Sequence, residues 1–178
     1  MHKLLKTKTI LDYFGNNKNN ETEIIANNKA TTVYFDKIQN SKSYFVFTDG
    51  SQLRESKTYK SLSVSWAYVI KEKNNNVIHS ESGKLNMNDN NQRAELISIF
   101  NALQWCFKSF KDSCDIHIYT DSEYSLKCLT LWVYSWKKSN WKNSKRQDVK
   151  HRDVIEPCFE LIQTMKKNNI NVKFNHIR

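Results

Sequence analysis

The sequence predicts an α/β fold in which three antiparallel strands are followed by parallel strands joined through helices. Residues 44–47 form an unbroken apolar run, the pattern of a strand buried on both faces. Residues 62–68 alternate between larger apolar and small side chains, which indicates a half-buried strand. Helix and strand patterns then alternate, and such an order requires parallel strands with crossover connections.

The first strand leads into Asp49 and then Gly50, and we expect the chain to turn sharply at the glycine. A carboxylate at the end of a buried strand is costly to bury unless another group pairs with it. Strand ends that open into loops are also common sites of chemistry. Asp49 taken alone is better explained as a turn cap, and only the rest of the chain reverses that balance.

Length and charge limit the possible functions. The 178 residues suit one domain with an appendage. A net charge of +10 predicts a polyanionic partner, most simply nucleic acid, the alternative being a merely soluble basic protein. No apolar run is long enough to cross a membrane and no signal peptide is evident, so we expect an intracellular protein, cytoplasmic or nuclear. The four cysteines lack metal-ligand spacing and fit reduced core positions.

The first half continues with turns and strands. Polar residues predict a turn at 52–60, a hairpin at 71–76 and a loop at 84–90, with a third strand at 77–83 between the last two. The first three strands are therefore expected to be antiparallel neighbours.

A long helix is predicted over residues 91–109, with Asn90 or Asn91 as its N-cap. Apolar side chains at helical spacing should face the core: Ala94, Ile97, Phe100, Leu103 and Phe107. Glu95 lies beside Ala94 on this side, which is unusual for an acid. The alternative is a first-turn glutamate that the helix dipole favours.

A second acid follows a second buried strand. Residues 115–119 predict the strand, Asp121 follows it, and Ser122 can cap the next helix. If this strand runs parallel to the first, Asp49 and Asp121 lie at the same edge of neighbouring strands. Glu95, one turn into the preceding helix, could then reach both.

The most basic stretch spans residues 132–152 and interleaves tryptophans with lysines and arginines. Aromatic faces among cations favour a nucleic-acid groove. The alternative, tryptophans in the core and lysines in solvent, fits part of the stretch, because tryptophans this close cannot all stack on one ligand. A helix over 153–167 and a strand over 171–178 complete the chain.

Four motifs occur in a specific order and spacing: TDGS at 48–51, NQRAEL at 91–96, YTDSEY at 119–124 and WKKSNWK at 136–142. Together they strongly resemble type 1 ribonuclease H. The resemblance covers residues 44–178, and we predict that these residues form one domain. The resemblance implies the ribonuclease H-like fold, a mixed five-stranded sheet with helices on both faces, here without the family's last helix. The strand order predicted above agrees with it.

The resemblance implies a monomeric endonuclease that hydrolyses the RNA strand of RNA–DNA hybrids, in primer or hybrid removal during DNA replication or repair. Two divalent ions can supply the activated water and the stabilised leaving oxyanion that this reaction needs. Clustered carboxylates suit Mg²⁺, and Mn²⁺ can substitute. Asp49 matches the carboxylate that bridges the two ions, and Glu95 and Asp121 match ligands of the second ion.

The resemblance also implies which residues contact the hybrid. The matches to contacts with RNA 2′-hydroxyl groups, which distinguish RNA from DNA, are Gly50, Ser51, Gln52, Asn91 and Gln92. The matches to the DNA-strand channel are Tyr124, Trp132, Trp136, Ser144 and His151. The matches to the basic protrusion that grips the hybrid are Lys137, Lys138, Trp141, Lys142, Lys145 and Arg146.

Two departures from the family pattern bear on activity. The DNA-phosphate pocket is altered at Asn88, Asn90 and His151. The sequence ends at residues 176–178, before the family's histidine-bearing loop and the helix that carries a fourth carboxylate. We therefore expect activity reduced on the order of a thousandfold or more. The alternative is a hybrid-binding fragment without turnover.

Residues 1–43 are predicted to be a basic, disordered tail. An apolar island at 7–14 resembles the peptide by which replication and repair proteins dock on a sliding clamp. Ile10, Tyr13 and Phe14 match that peptide, and Thr7 replaces its glutamine. One helical turn would put the three matching side chains on one face. The alternative is an island that packs on its own domain.

Overall fold

A computed structural model of the protein describes residues 42–56, 58 and 61–177. The clamp-like peptide with Ile10, Tyr13 and Phe14 lies outside these residues, and so does the predicted tail up to residue 41. Both stay predictions. The last two residues assigned to the tail, Lys42 and Ser43, instead begin the first strand.

The elements follow the predicted order. The strands are β1 (Lys42–Arg54), β2 (Ser61–Glu72), β3 (Val77–Leu85), β4 (Cys114–Thr120) and β5 (Ile170–His176). The helices of the described residues are α1 (Asn91–Ser109), α2 (Glu123–Lys127), α3 (Val133–Lys138) and α4 (Arg152–Lys167), with a π-helical turn, Cys128–Trp132, between α2 and α3. Asn90 caps α1, and Ser122 caps α2 through a bond from the Ser125 N–H.

The five strands form one mixed sheet in the order β3-β2-β1-β4-β5. β1 is antiparallel to β2, and β2 is antiparallel to β3, whereas β4 is parallel to both β1 and β5. This arrangement confirms the predicted five-stranded sheet. It also places β1 and β4, the two strands that lead to the acids, side by side.

The side of α1 that faces the core is broader than the periodicity predicts. Ala94 and Leu103 are fully buried as expected, whereas Ile97, Phe100 and Phe107 are only partly buried. The fully buried apolar positions also include Leu96, Ile99, Ala102 and Cys106. The reason is that α1 packs against β1 and β2 and also against α4, so it buries two sides rather than one stripe.

β1 does not end at the aspartate, and the turn expected at Gly50 is absent. The strand continues to Arg54, with Asp49 paired to Ala67 and Gly50 to Trp66 of β2. Gly50 has no positive φ. The connection to β2 therefore lies at 55–60 rather than 52–60. Pairing with β2 keeps the chain extended through the glycine, whose role lies in its contact with α1, described below.

Trp141, which the sequence placed in the basic protrusion, belongs to the core. The residue is 4% exposed. Its backbone N–H donates to the Trp136 carbonyl at 2.7 Å, and its backbone carbonyl accepts from the Val149 N–H at 3.0 Å. The Arg152 guanidinium lies 5.2 Å from its ring centroid. Trp141 therefore anchors the loop between α3 and α4 and leaves the surrounding cations at the surface.

The four cysteines are buried and form no disulfide, as predicted. Across residues 42–177, apart from the undescribed positions in the β1–β2 connection, no helix is both long and apolar enough to cross a bilayer.

Trp141→Ala is expected to lower the free energy of unfolding by about 3–5 kcal/mol, because it empties a buried ring site. Urea unfolding followed by circular dichroism measures the change. Trp136→Ala is the matched control, and it should cost clearly less because Trp136 is only partly buried. Equal costs for the two variants would contradict the assignment of Trp141 to the core.

Candidate active site

Three carboxylates converge where the parallel pairing of β1 and β4 ends. The last pair is Phe47 with Tyr119, and Asp49 and Asp121 each lie two residues beyond it. Glu95 comes from the second turn of α1. Each of the three residues offers an oxygen, and these oxygens all lie within 4.8 Å of one another. The structure thus brings together the three residues that the motifs selected.

Gly50 allows α1 to approach β1 closely enough for this convergence. A Cβ at this position would lie 2.4 Å from the backbone nitrogen of Glu95 and 2.8 Å from the carbonyl carbon of Ala94. Both neighbours are backbone atoms and cannot rotate away, so only glycine fits. The glycine next to Asp49 therefore sets the distance between the strand and the helix that carry two of the acids.

Ser98 fixes the backbone of Asp49 to the same helix. The Asp49 N–H donates to the Ser98 hydroxyl at 3.3 Å, and that hydroxyl donates to the Ala67 carbonyl on β2. Ser98 is fully buried and lies three residues after Glu95, so one helix positions both acids. Sequence reasoning missed it, although a small polar residue one turn beyond an inward-facing acid was an available signal.

The turn that carries Asp121 is held by the end of β5. The His176 ring nitrogen Nε2 lies 3.1 Å from the Asp121 carbonyl oxygen. The Ile177 N–H donates to the Thr120 carbonyl at 3.0 Å, and the Ser122 N–H donates to the Thr120 hydroxyl at 3.1 Å. The sequence predicted the strand that contains His176, but not this contact with the acidic cluster.

The acidic cluster is electrostatically strained. Glu95 is 3% exposed, and its Oε2 is buried without a hydrogen-bond partner among the described residues. Burial, followed by the charges of Asp121 and Asp49, raises the pKa of Glu95 to about 8, against the opposing effects of the Gly50 N–H and the Asn91 side chain. Burial and the charge of Asp121 also raise the pKa of Asp49.

This donor set fits a hard divalent cation. A cation would give the buried oxygen of Glu95 a partner and would offset the repulsion among the three acids. Oxygen ligands in a cluster of carboxylates are what Mg²⁺ prefers. Ionisable groups with raised pKa values at a point where several converge are also typical of functional sites.

The residues expected to contact the RNA strand lie on the two elements that meet at Gly50. Gly50, Ser51 and Gln52 belong to β1, while Asn91 and Gln92 form the exposed first turn of α1. The Gln52 side-chain amide donates to the Asp89 carbonyl at 3.4 Å, just before α1. The structure therefore brings the two predicted segments together.

The residues expected to contact the DNA strand are only partly brought together. The Tyr124 and Trp132 ring centroids lie 6.1 Å apart, and those of Trp132 and Trp136 lie 5.7 Å apart. Ser144 is exposed in the loop between α3 and α4, and His151 precedes α4 with a left-handed φ of 59°. Ser144 and His151 thus lie outside the helical segment that carries the three rings.

Arg93 links the N-termini of α1 and α4. Its guanidinium donates to both carboxylate oxygens of Asp153, at 2.9 and 2.6 Å, and lies 3.1 Å from Asp89. Burial, with a further contribution from Arg93, lowers the pKa of His151, whose Nε2 has no hydrogen-bond partner within the described residues. Arg93 lies within the NQRAEL motif, but the sequence alone predicts no role for its side chain.

The basic protrusion exposes five cations, two at the end of α3 and three on the loop that follows it. The exposed side chains are Lys137, Lys138, Lys142, Lys145 and Arg146. The Asn143 side-chain oxygen accepts bonds from the Lys145 and Gln147 N–H groups, and Lys142 pairs with Asp148 at 2.7 Å. With Trp141 in the core beneath them, these cations form the accessible part of the protrusion.

Residues 41–178 match the RNase H family. The chain belongs to the RNase H family. The order of its strands and the convergence of Asp49, Glu95 and Asp121 agree with that membership.

Individual relatives match parts of the chain. The ribonuclease H of Methylobacillus flagellatus is 41% identical over 73 residues, which cover 41% of this chain and 46% of that protein. The ribonuclease H of Treponema denticola is 33% identical over 119 residues, covering 61% and 74%. This chain spans about half the length of most curated relatives that it matches. LC11-RNase H1, solved in complex with an RNA/DNA hybrid, shares the fold with a TM-score of 0.53 at 16% identity, covering 75% of this chain and 84% of that one.

In a chelating buffer, the free energy of unfolding should fall by on the order of a few kcal/mol as the pH rises from about 5 to about 8. The ordinary pKa of a glutamate is 4.5, whereas folded Glu95 keeps its proton up to about 8. Between these values the folded protein binds more protons than the unfolded chain, so a rise in pH favours unfolding.

Urea unfolding at several pH values measures this slope. Glu95→Gln should remove most of it, because glutamine does not titrate. Glu160→Gln, at an exposed position on α4, is the matched control and should leave the slope unchanged. A slope that survives in Glu95→Gln would show that the buried carboxyl is not its source.

Proposed function

We propose that this protein hydrolyses the RNA strand of RNA–DNA hybrids with the help of divalent metal ions. The observation that carries the proposal is the convergence of Asp49, Glu95 and Asp121, with oxygens within 4.8 Å of one another. Family membership and the hybrid bound by LC11-RNase H1 support it. A pair of ions, a monomeric enzyme and a role in replication or repair belong to the same proposal.

Asp49, Glu95 and Asp121 would hold the ions, with Mg²⁺ as the proposed species and Mn²⁺ as a substitute. When bound, such ions activate water and stabilise the leaving oxyanion. The protein's own part is to fix the three carboxylates before the substrate arrives. Gly50 and Ser98 fix Asp49 against α1, and the Asn91 side chain interacts with Glu95.

Recognition of the RNA strand is proposed for the surface formed by β1 and the first turn of α1. The exposed side chains of Asn91 and Gln92 can donate and accept hydrogen bonds, and a 2′-hydroxyl group offers both functions. Gly50 lies against the backbone of Ala94 and Glu95 on the same helix, and the Gln52 side chain bonds to Asp89 just before it. Since Glu95 follows on the same helix, a strand held here has its phosphates next to the acidic cluster.

Recognition of the DNA strand is proposed for the rings of Tyr124, Trp132 and Trp136. A deoxyribose lacks the 2′-hydroxyl, so its apolar edge can contact an aromatic surface closely. The exposed cations of the protrusion would neutralise phosphates of the hybrid. Ser144 and His151 are proposed as additional contacts to the DNA-strand backbone.

Asp49→Asn should abolish cleavage, with a loss of at least about a hundredfold, because it removes a charge from the centre of the cluster. The measurement is cleavage of an end-labelled RNA–DNA hybrid in Mg²⁺ and in Mn²⁺. Asp112→Asn, in the exposed loop before β4, is the charge-matched control and should cut at the native rate. Undiminished cutting by Asp49→Asn would refute the assignment of the metal ligands.

Binding is measured separately, with the native protein and the same hybrid in EDTA. Binding together with cleavage supports the proposal. Binding without cleavage in either metal would reduce the function to hybrid binding without turnover. A native protein that does not bind the hybrid would refute both functions.

Replacing Lys137, Lys138 and Lys142 by alanine should weaken hybrid binding and flatten its salt dependence. Each lost phosphate contact lowers the slope of log K against log salt by about 0.9, so we expect a reduction of about 2–3. Lys142 can contribute less than the others because it pairs with Asp148.

The matched control is the triple replacement of Lys108, Lys166 and Lys167. It removes the same charge from exposed positions at the ends of α1 and α4. Fluorescence anisotropy between 50 and 300 mM salt measures both variants. Identical slopes for the two would mean that the protrusion contributes only general positive charge.

A further inference from the structure

The helical segment that carries the three aromatic rings contains a π-helical turn, Cys128–Trp132. The Val133 N–H donates to the Cys128 carbonyl, five residues back, whereas an α-helical bond reaches four residues back. The turn therefore encloses one additional residue. Such turns are rare and occur frequently at functional sites.

The additional residue changes which side chains share a face. In an uninterrupted α-helix of about 3.6 residues per turn, Tyr124 and Trp132 would lie roughly 80° apart around the axis. One additional residue compensates for about 100°, which leaves an offset of roughly 20°. Trp136, four residues after Trp132, stays on the same side in either case.

We propose that the π-helical turn is a positioning device that aligns Tyr124 with Trp132 and Trp136 and so forms a three-ring surface, here called the aromatic platform. The observed ring separations of 6.1 and 5.7 Å agree with this alignment. On the proposed function, on which this inference rests, the platform contacts successive nucleotides of the DNA strand.

The shape of the platform suits sugars rather than a continuous base stack. The ring planes meet at 66° and 54°, so neighbouring rings are steeply inclined to one another and do not form a parallel stack. The three rings extend over about three nucleotide steps at ~3.4 Å per step along one strand. A row of deoxyriboses can follow such a surface, whereas a stack of parallel bases would require parallel rings.

Contacts on both sides of the segment hold the π-helical turn in place. Cys128, Leu129 and Val133 are buried in the core. On the solvent side, the exposed Thr130 donates its hydroxyl to the Leu126 carbonyl at 2.7 Å, one turn back. The core residues fix the inner side of the segment, so the additional residue is taken up at the surface.

Deletion of Thr130 tests the proposal, because it removes one exposed residue from the turn in the otherwise complete chain. NMR cross-relaxation between the Tyr124 ring and the Trp132 indole reports the alignment without any ligand. We expect this signal in the native protein and not in the deletion variant. Thr130→Ala keeps the chain length and should keep the signal.

The same variants are tested for binding to a fluorescein-labelled RNA–DNA hybrid in EDTA. Deletion of Thr130 should weaken binding about tenfold, as expected when one aromatic contact with the DNA strand is lost. Tyr124→Leu should cost about tenfold in the native background and nothing further in the deletion background. A purely structural role for the turn would not produce this dependence of one substitution on the other.

Each outcome bears on a specific claim. An aromatic signal that persists in the deletion variant, or an equal effect of Tyr124→Leu in both backgrounds, overturns the alignment. A native protein that does not bind the hybrid overturns the proposed function and, with it, the role of the platform.

If circular dichroism shows that the deletion variant is unfolded, a double-mutant cycle of Tyr124→Leu and Trp132→Leu in the full-length chain decides. Fully additive losses of hybrid affinity overturn the platform. A combined loss smaller than the sum of the two supports it. Tyr134→Leu is the matched control, since Tyr134 is exposed on the same segment and packs instead on Phe159.

Discussion

The site depends on one steric constraint, the contact between Gly50 and the backbone of α1. With a Cβ position only 2.4 Å from the nitrogen of Glu95, any side chain would force the helix away from β1. The hydrogen bond from Asp49 to Ser98 and the reach of Glu95 toward the other acids would then be lost together, because both depend on the same spacing. Arg93 binds Asp153 on α4, so a displaced helix would also disturb the region around His151.

The acidic cluster lowers the stability of the folded protein when no cation is bound. Burial and mutual repulsion raise the pKa values of Glu95 and Asp49, which means that folding holds carboxyl groups where their charged forms are disfavoured. The surrounding core compensates for this cost. Fully buried Val46, Ile118 and Leu96 lie within a few residues of the acids along β1, β4 and α1. Groups that destabilise the protein alone and become favourable with a ligand are common at functional sites.

The sequence predicted the positions of the acids because apolar strand runs and helical periodicity are encoded locally. Two apolar runs that each lead to an aspartate, joined through a helix with an inward glutamate, can be recognised without coordinates. The role of Gly50 could not be, since a turn and a close helix contact both select glycine. Nor could Trp141 be separated from Trp132 and Trp136, because all three lie among lysines and only the packed loop buries one of them. His176 acts through a contact between distant segments, the end of β5 and the turn after β4, which no local pattern reports.

Charge alone cannot explain selection of a hybrid on the proposed function. A net charge of +10 attracts any polyanion, and phosphate contacts carry no information about which strand is RNA. Selection must then come from two surfaces of different chemistry held at a fixed separation. Polar groups on β1 and α1 suit a strand with 2′-hydroxyls, and the rings on the segment after β4 suit a strand without them. β1 and β4 are paired neighbours in one sheet, so the same hydrogen-bonded register that assembles the carboxylates also limits how far apart the two strands of a substrate can lie.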